Sequence, residues 1–496
     1  MCPNNLRVPA GSLEKRSIPK APSSIRGLDE ILKGGFPLGR TTILSGTAGT
    51  GKTVMAMEFL YRGALEGHAG LFISFEERAR DVRANACAMG MDPAALEEQS
   101  KLRIIHAEIP ADAIKAGDFE ARGLLAMIEG HAQLTGAKRI VLDAVDSLMS
   151  IFEDPRRERE EIGFLLNRLR DLGMTTIFTV KAESGGLKIY PFLDFMADCV
   201  LFLDQRIEEQ IRTRRLNVLK YRGSDFLSNE QPYVFSAEGL VFMPVSSMSL
   251  EQLPLAERVS SGIHKLNQLT GGGYIKGSCV LLNGPSGIGK TSLASSFAHA
   301  ACSRGEKVLY VNFETSPETL VGSMQSIGLD MRPALDTDSR LRILSAMPES
   351  AGVEEHLLRI VDEMSGFSAH HLVVDAISAC LRMGSGRVPF DFLARLITES
   401  RARGVTCVFT NQIRNQEYLT RMSGIGISSL VDTIIALEYF IQEQELKRRL
   451  IIIKSRGSDH SKQFHQLELS HTGLRLGRIT GRESESPGSG QEDISQ

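Results

Sequence analysis

Tryptophan is absent from the 496-residue chain and tyrosine occurs only eight times. The seven cysteines, Cys2, Cys87, Cys199, Cys279, Cys302, Cys380 and Cys407, are scattered, and none forms a Cys-x-x-Cys pair. Reduced thiols in a cytosol, mostly as small core residues, are therefore the expectation, and with them a cytoplasmic location. No uninterrupted apolar run reaches about 18 residues, so no membrane span is expected. Met1 to Arg16 holds no apolar core flanked by basic residues, so no signal peptide is expected. Neither charge sign is in excess, the formal net charge being -3, which argues against a dedicated nucleic-acid binder.

What is present is a repeat. Ile25-Arg-Gly-Leu-Asp-Glu-Ile-Leu-Lys-Gly-Gly35 aligns without a gap on Ile263-His-Lys-Leu-Asn-Gln-Leu-Thr-Gly-Gly-Gly273. The offset of 238 persists at Gly46 and Gly284, at Phe59 and Phe297, and at Glu76 and Glu314. Pro244 to Glu257 reads as a linker, and the Ser-, Gly- and acid-rich end reads as a disordered tail. The expected organisation is an arm over 1–17, domains over 18–247 and 248–480, and a tail over 481–496. Strands are expected at Thr42–Ser45, Gly70–Ser74, Arg139–Leu142 and Thr175–Val180, and again at Val280–Asn283, Val308–Asn312, Leu372–Val374 and Thr406–Thr410. Helices are expected at Thr53–Leu65 and Thr291–Cys302. Continuous apolar strands alternating with helices give an α/β fold with parallel sheets covered on both faces.

Two segments fit G-x-x-x-x-G-K-[ST]. One is Gly46, Thr47, Ala48, Gly49, Thr50, Gly51, Lys52 and Thr53; the other is Gly284, Pro285, Ser286, Gly287, Ile288, Gly289, Lys290 and Thr291, followed by Ser292. Glycines allow the backbone to turn its N–H groups around phosphates, and the helix that follows adds its positive end. Lys52 and Lys290 would neutralise β/γ oxygens, and Thr53 and Thr291 would ligate Mg2+. ATP with Mg2+ is the expected ligand pair. Asp143 and Asp375 end apolar strands and suit the metal, although a strand-ending aspartate also caps turns. Glu76 and Glu77 follow the next strand, and Glu314 and Thr315 follow its counterpart. A carboxylate there can orient or deprotonate the nucleophile, water in the first half, or be a solvated surface acid. Thr315 in place of an acid predicts different or slower chemistry in the second half. Lys220-Tyr-Arg222-Gly-Ser recurs as Lys454-Ser-Arg456-Gly-Ser at an offset of 234. Two cations on one strand face suit phosphate oxygens, or simply a solvated edge.

This ordered set, twice over, resembles the RecA-like P-loop ATPases, and specifically the KaiC family of circadian-clock ATPases and autokinases, across residues 18–478. The resemblance implies tandem RecA-like domains and a double-ring homohexamer with ATP between neighbouring subunits. It implies that Lys220, Arg222, Lys454 and Arg456 reach a neighbour's nucleotide, and that Arg448, His460 and Lys462 are further nucleotide contacts. It also implies that Ser428 and Ser429 accept phosphate, with Glu314 as base. The 234 offset puts Asp194 and Phe195 opposite those serines, so only the second half offers hydroxyls there. Self-association is the implied partnership, with a KaiB-like or signalling protein beyond it. A nucleotide-gated scaffold without kinase activity is the alternative, and a RecA-like DNA motor a more distant one.

Overall fold

The structure is a computed structural model. It describes residues 18–108, 121–152, 154–182, 191–208, 211–244, 257–337, 339–384, 387–413 and 426–479. The expected arm over 1–17, most of the linker and all of the tail over 481–496 lie outside the described residues. The chain divides into two compact units, Met1–Ile207 with Arg212–Ser247, and Glu208–Ile211 with Met248–Gln496.

The first unit is built on a nine-stranded sheet: β1 (Thr41–Gly46), β2 (Gly70–Ser74), β3 (Leu102–His106), β4 (Arg139–Asp143), β5 (Thr175–Lys181), β6 (Cys199–Glu208), β7 (Ile211–Tyr221), β8 (Gln231–Ser236) and β9 (Gly239–Phe242). Their spatial order is β9-β8-β7-β6-β1-β5-β4-β2-β3. The six strands from β6 to β3 run parallel. The second unit repeats the plan with β10 (Cys279–Gly284), β11 (Val308–Asn312), β12 (Leu341–Ser345), β13 (His371–Asp375), β14 (Thr406–Gln412), β15 (Thr433–Gln442), β16 (Glu445–Ser455), β17 (His465–Ser470) and β18 (Gly473–Arg478). Its order, β12-β11-β13-β14-β10-β15-β16-β17-β18, is the same sheet read from the other edge. These two mostly parallel α/β sheets have the RecA-like arrangement.

Alternation along the central strands explains the layers. Ile43 and Leu44 point to opposite faces: Leu44 joins a core with Phe72, Phe59 and Leu201, and Ile43 one with Leu71, Leu142 and Phe178. Helix α1 (Lys52–Leu65) covers the first face. Helices Ala121–Thr135 and Pro155–Asp171 cover the second. Helix α2 (Lys290–Ser303) does in the second unit what α1 does in the first. Both helices start at the lysine, one residue before the expected threonine.

Phe59 and Phe297 sit at matching points beneath these helices. Phe59 lies against the Arg139 guanidinium, 4.6 Å from its ring centre, and Phe297 meets the His371 ring edge-on at 5.1 Å. Both phenylalanines are fully buried. Phe297→Ala is expected to cost about 3–5 kcal/mol of second-unit stability. Urea unfolding should show a lower midpoint at unchanged slope, and an unmoved midpoint would contradict this packing.

Candidate functional site

Each glycine loop joins a central strand, β1 or β10, to its helix. Gly51 (φ 92°) and Gly289 (φ 108°) sit in the left-handed region just before the helix. A Cβ on Gly51 would come within 2.6 Å of the Phe235 ring, and one on Gly289 would meet Leu469 at 3.3 Å. The hairpin strands β8 and β17 therefore back the loops, and only glycine fits there. The first N–H groups of α1 and α2 have no intrahelical acceptor and face the loop's hollow. Lys52 Nζ folds back to donate to Thr47 O at 2.9 Å, and Lys290 Nζ to Pro285 O at 2.7 Å. Burial lowers the pKa of both ammonium groups, Asp143 opposing this for Lys52 and Asp375 for Lys290. In each unit one under-solvated cation beside the free N–H groups of a helix start fits a polyphosphate.

Behind each loop stands the aspartate. Thr53 Oγ1 donates to Asp143 Oδ2 at 2.9 Å, and Thr179 donates to Oδ1. Asp143 is buried, which raises its pKa; the two threonine bonds and Lys52 oppose the rise, while the charge of Glu77 adds to it. In the second unit Thr410 donates to Asp375 Oδ1, whereas Oδ2 accepts from Tyr310 Oη at 3.1 Å. Hydroxyl plus carboxylate, all oxygen donors beside a phosphate cradle, is a donor set that suits Mg2+. Thr179, Thr410 and Tyr310 escaped sequence reasoning. The two threonines recur in matching strands, which was a usable signal, while Tyr310 reads as one more aromatic in a buried strand.

Glu76 and Glu77 leave the end of β2 beside Asp143, since Phe75 N donates to Asp143 O at 2.8 Å. Ser147 holds Glu76 and Asn85 holds Glu77. Glu314 follows β11 in the same way and is exposed, its N–H donating to Asn312 Oδ1 at 2.9 Å. Thr315 bonds Asn312 through both its N–H and its hydroxyl, so it closes the turn that Ser74 and Glu77 close in the first unit.

The Lys-x-Arg pairs lie elsewhere. Lys220 donates to Asp194 O and Arg222 to Phe195 O at 2.6 Å. Lys454 donates to Ser428 O at 2.9 Å and Val431 O at 2.7 Å, and Arg456 to Ser429 O at 2.9 Å. The cations thus clamp the short helix Pro191–Met196 in the first unit and the turn Ile427–Ser429 in the second. Burial lowers the pKa of Lys220 and Lys454, and the neighbouring arginine lowers it further. Ser428 is half-buried and Ser429 exposed in the turn Ile427–Ser429. Register fixes where these clamps are. Thr42 pairs with Cys199 and Val280 with Thr433, so each clamped segment precedes its strand at the edge where β1 and β10 begin. The glycine loops leave from the opposite edge, after Gly46 and Gly284.

Arg448 stands at the loop edge instead. It pairs with Tyr439, whose hydroxyl lies 3.4 Å from Ser286 O, and its guanidinium covers that ring at 5.9 Å. His460, 3.4 Å from Ser458 O, and the exposed Lys462 follow Arg456 on the segment between β16 and β17.

The family model for the KaiC ATPase matches the chain twice, at residues 21–247 and 259–480. The chain belongs to the KaiC family. It is 36% identical over 464 residues, 93% of this chain and 82% of the relative, to the circadian clock protein KaiC2 of a Synechocystis species. It is 34% identical to the circadian clock oscillator protein KaiC of Parathermosynechococcus lividus, over 96% of this chain and 88% of that one. The KaiC of Synechococcus elongatus is 33% identical over 94% and 90%. Membership of this ATPase family implies that the chain binds nucleotide. No helix among the described residues is long and apolar enough to cross a membrane.

Proposed function

We propose that each unit holds ATP and Mg2+ on its glycine loop and that six chains close into a double ring with nucleotide between neighbours. The first unit is the main ATPase. The second transfers phosphate to serine as well, and the phosphorylated ring serves as a timing or signalling switch. The clock names of the relatives support the timing role. A KaiB-like or signalling protein is the partner class such a switch would address.

The observation that carries this reading is the separation of the clamps from the loops. Six residues of β1 or β10 stand between them, roughly 20 Å of extended chain. Lys220, Arg222, Lys454 and Arg456 are therefore too far to meet the phosphate on their own unit's loop, and a neighbouring copy of the chain is where they would meet one. A head-to-tail contact of this kind closes into a ring when the rotation allows.

Within a site, Lys52 or Lys290 neutralises the terminal phosphates, and Thr53 with Asp143, or Thr291 with Asp375, holds the metal. When bound, Mg2+ spreads the charge that develops on the transferring group. Glu76, kept in place by Ser147, and Glu77 orient and deprotonate water. Glu314 takes the proton of Ser428 or Ser429 presented by the neighbour's clamp. Arg448 faces its own chain's nucleotide beside Tyr439, while His460 and Lys462 extend the clamp across the subunit boundary.

ATP that binds the assembled state preferentially drives assembly by mass action. Light scattering at micromolar chain should rise from monomer to hexamer when ATP and Mg2+ are added. A monomer in saturating nucleotide would contradict the reading.

A further inference from the structure

The two metal aspartates keep different company. Asp143 Oδ2 accepts from Thr53, the threonine of its own glycine loop, at 2.9 Å. Asp375 Oδ2 accepts from Tyr310 Oη at 3.1 Å, and Ser295 Oγ lies 3.4 Å from that same hydroxyl. Tyr310 is fully buried in β11 beneath α2. The 238 offset puts Phe72 and Met57 at the positions of Tyr310 and Ser295. Both first-unit residues are buried, and neither carries a hydroxyl. The second unit has therefore added a two-hydroxyl relay, Ser295 to Tyr310 to Asp375, through a core that is wholly apolar at the same place in the first.

A hydrogen bond to a carboxylate draws on its charge and fixes its orientation, and it is strongest where water is excluded. The Tyr310 bond uses the Asp375 oxygen whose counterpart serves the loop threonine in the first unit. We propose that Tyr310 is a positioning residue of the second site: its buried hydroxyl holds Asp375 off the Thr291 side, so that this site binds its divalent cation more weakly than the first. The inference rests on the reading of Asp143 and Asp375 as metal residues. It gives the second unit a physical reason for slower turnover that is separate from Thr315.

Electron paramagnetic resonance of Mn2+ added to the full chain with a non-hydrolysable ATP analogue tests it without any turnover. Wild type should show two classes of bound Mn2+ about five-fold apart, the effect of one hydrogen bond. Tyr310→Phe should bring the weaker class to within about two-fold of the stronger, with Ser295→Ala moving it part of the way. The reciprocal Phe72→Tyr should weaken the stronger class. A merely structural role for Tyr310 would not shift affinity in opposite directions in the two exchanges. A single class in wild type, or a weaker class unmoved in a folded Tyr310→Phe protein, overturns the proposal. If Tyr310→Phe fails to fold, Phe72→Tyr decides alone, and an unmoved stronger class overturns it. No nucleotide-dependent Mn2+ binding in wild type would overturn the metal reading and this inference together.

Discussion

Lys52→Ala is expected to remove most steady-state phosphate release, at least about 100-fold at the first-unit sites, the scale for losing one preorganised charge on a transferring group. Lys52 is the half-buried cation of the loop whose aspartate is bonded to the loop threonine and whose flanking acids, Glu76 and Glu77, are both present. Lys290→Ala should remove less, because the second unit carries Thr315 where the first has Glu77 and ties Asp375 to Tyr310. Phosphate release measured on assembled protein checks both variants. A Lys52→Ala protein that assembles and keeps the wild-type rate would contradict the first unit's dominance.

The other large effect is on phosphate incorporation. Phosphoryl transfer depends on placing the acceptor in line and stabilising charge, so a hydroxyl fixed by its own backbone is a better acceptor than one on a free loop. Ser428 and Ser429 have that property, since their carbonyls are held by Lys454 and Arg456. Incubation with ATP and Mg2+ should place phosphate on this pair, and Ser428→Ala with Ser429→Ala should abolish it. Glu314→Gln should slow it by about 100-fold, the middle of the general-base range. Each phosphoserine adds about -1.5 to -2 of charge beside two cations that already occupy the turn, enough to rebuild the clamp. A phosphopeptide map with label only outside this segment, or label unaffected by Glu314→Gln, would reject the mechanism and leave the ATPase untouched.

Much of this frame was legible in residues because the chemistry is local. Val308–Asn312 was expected as a strand and is one, and Asp143 and Asp375 do end theirs. Glycine pattern, strand and helix are neighbours in sequence, so the loops declared themselves. The clamps did not. Lys454 and Ser428 are 26 residues apart and meet only because β15 and β16 fold back on each other. Alternation put Lys454 and Arg456 on one face, as the clamp requires, but gave no sign that they would hold Ser428 and Ser429. Tyr310 was invisible for the opposite reason. An aromatic in a buried strand is ordinary core, and its hydroxyl matters only once β11 and β13 are paired and Asp375 stands beside it. The backing of the loops by Phe235 and Leu469 is likewise long-range packing that no local pattern records.

The central claim is that the clamp of one chain completes the loop site of another, and subunit mixing tests it most directly. In a Lys290→Ala background that leaves only first-unit turnover, Lys52→Ala and Arg222→Ala chains should each be nearly inactive alone. Mixed in equal amounts and reassembled with ATP, about a quarter of the sites pair an intact loop with an intact neighbouring arginine, so about a quarter of the parent rate should return. If the arginine served its own chain's loop, every site would still carry one lesion and the mixture would stay as inactive as its components.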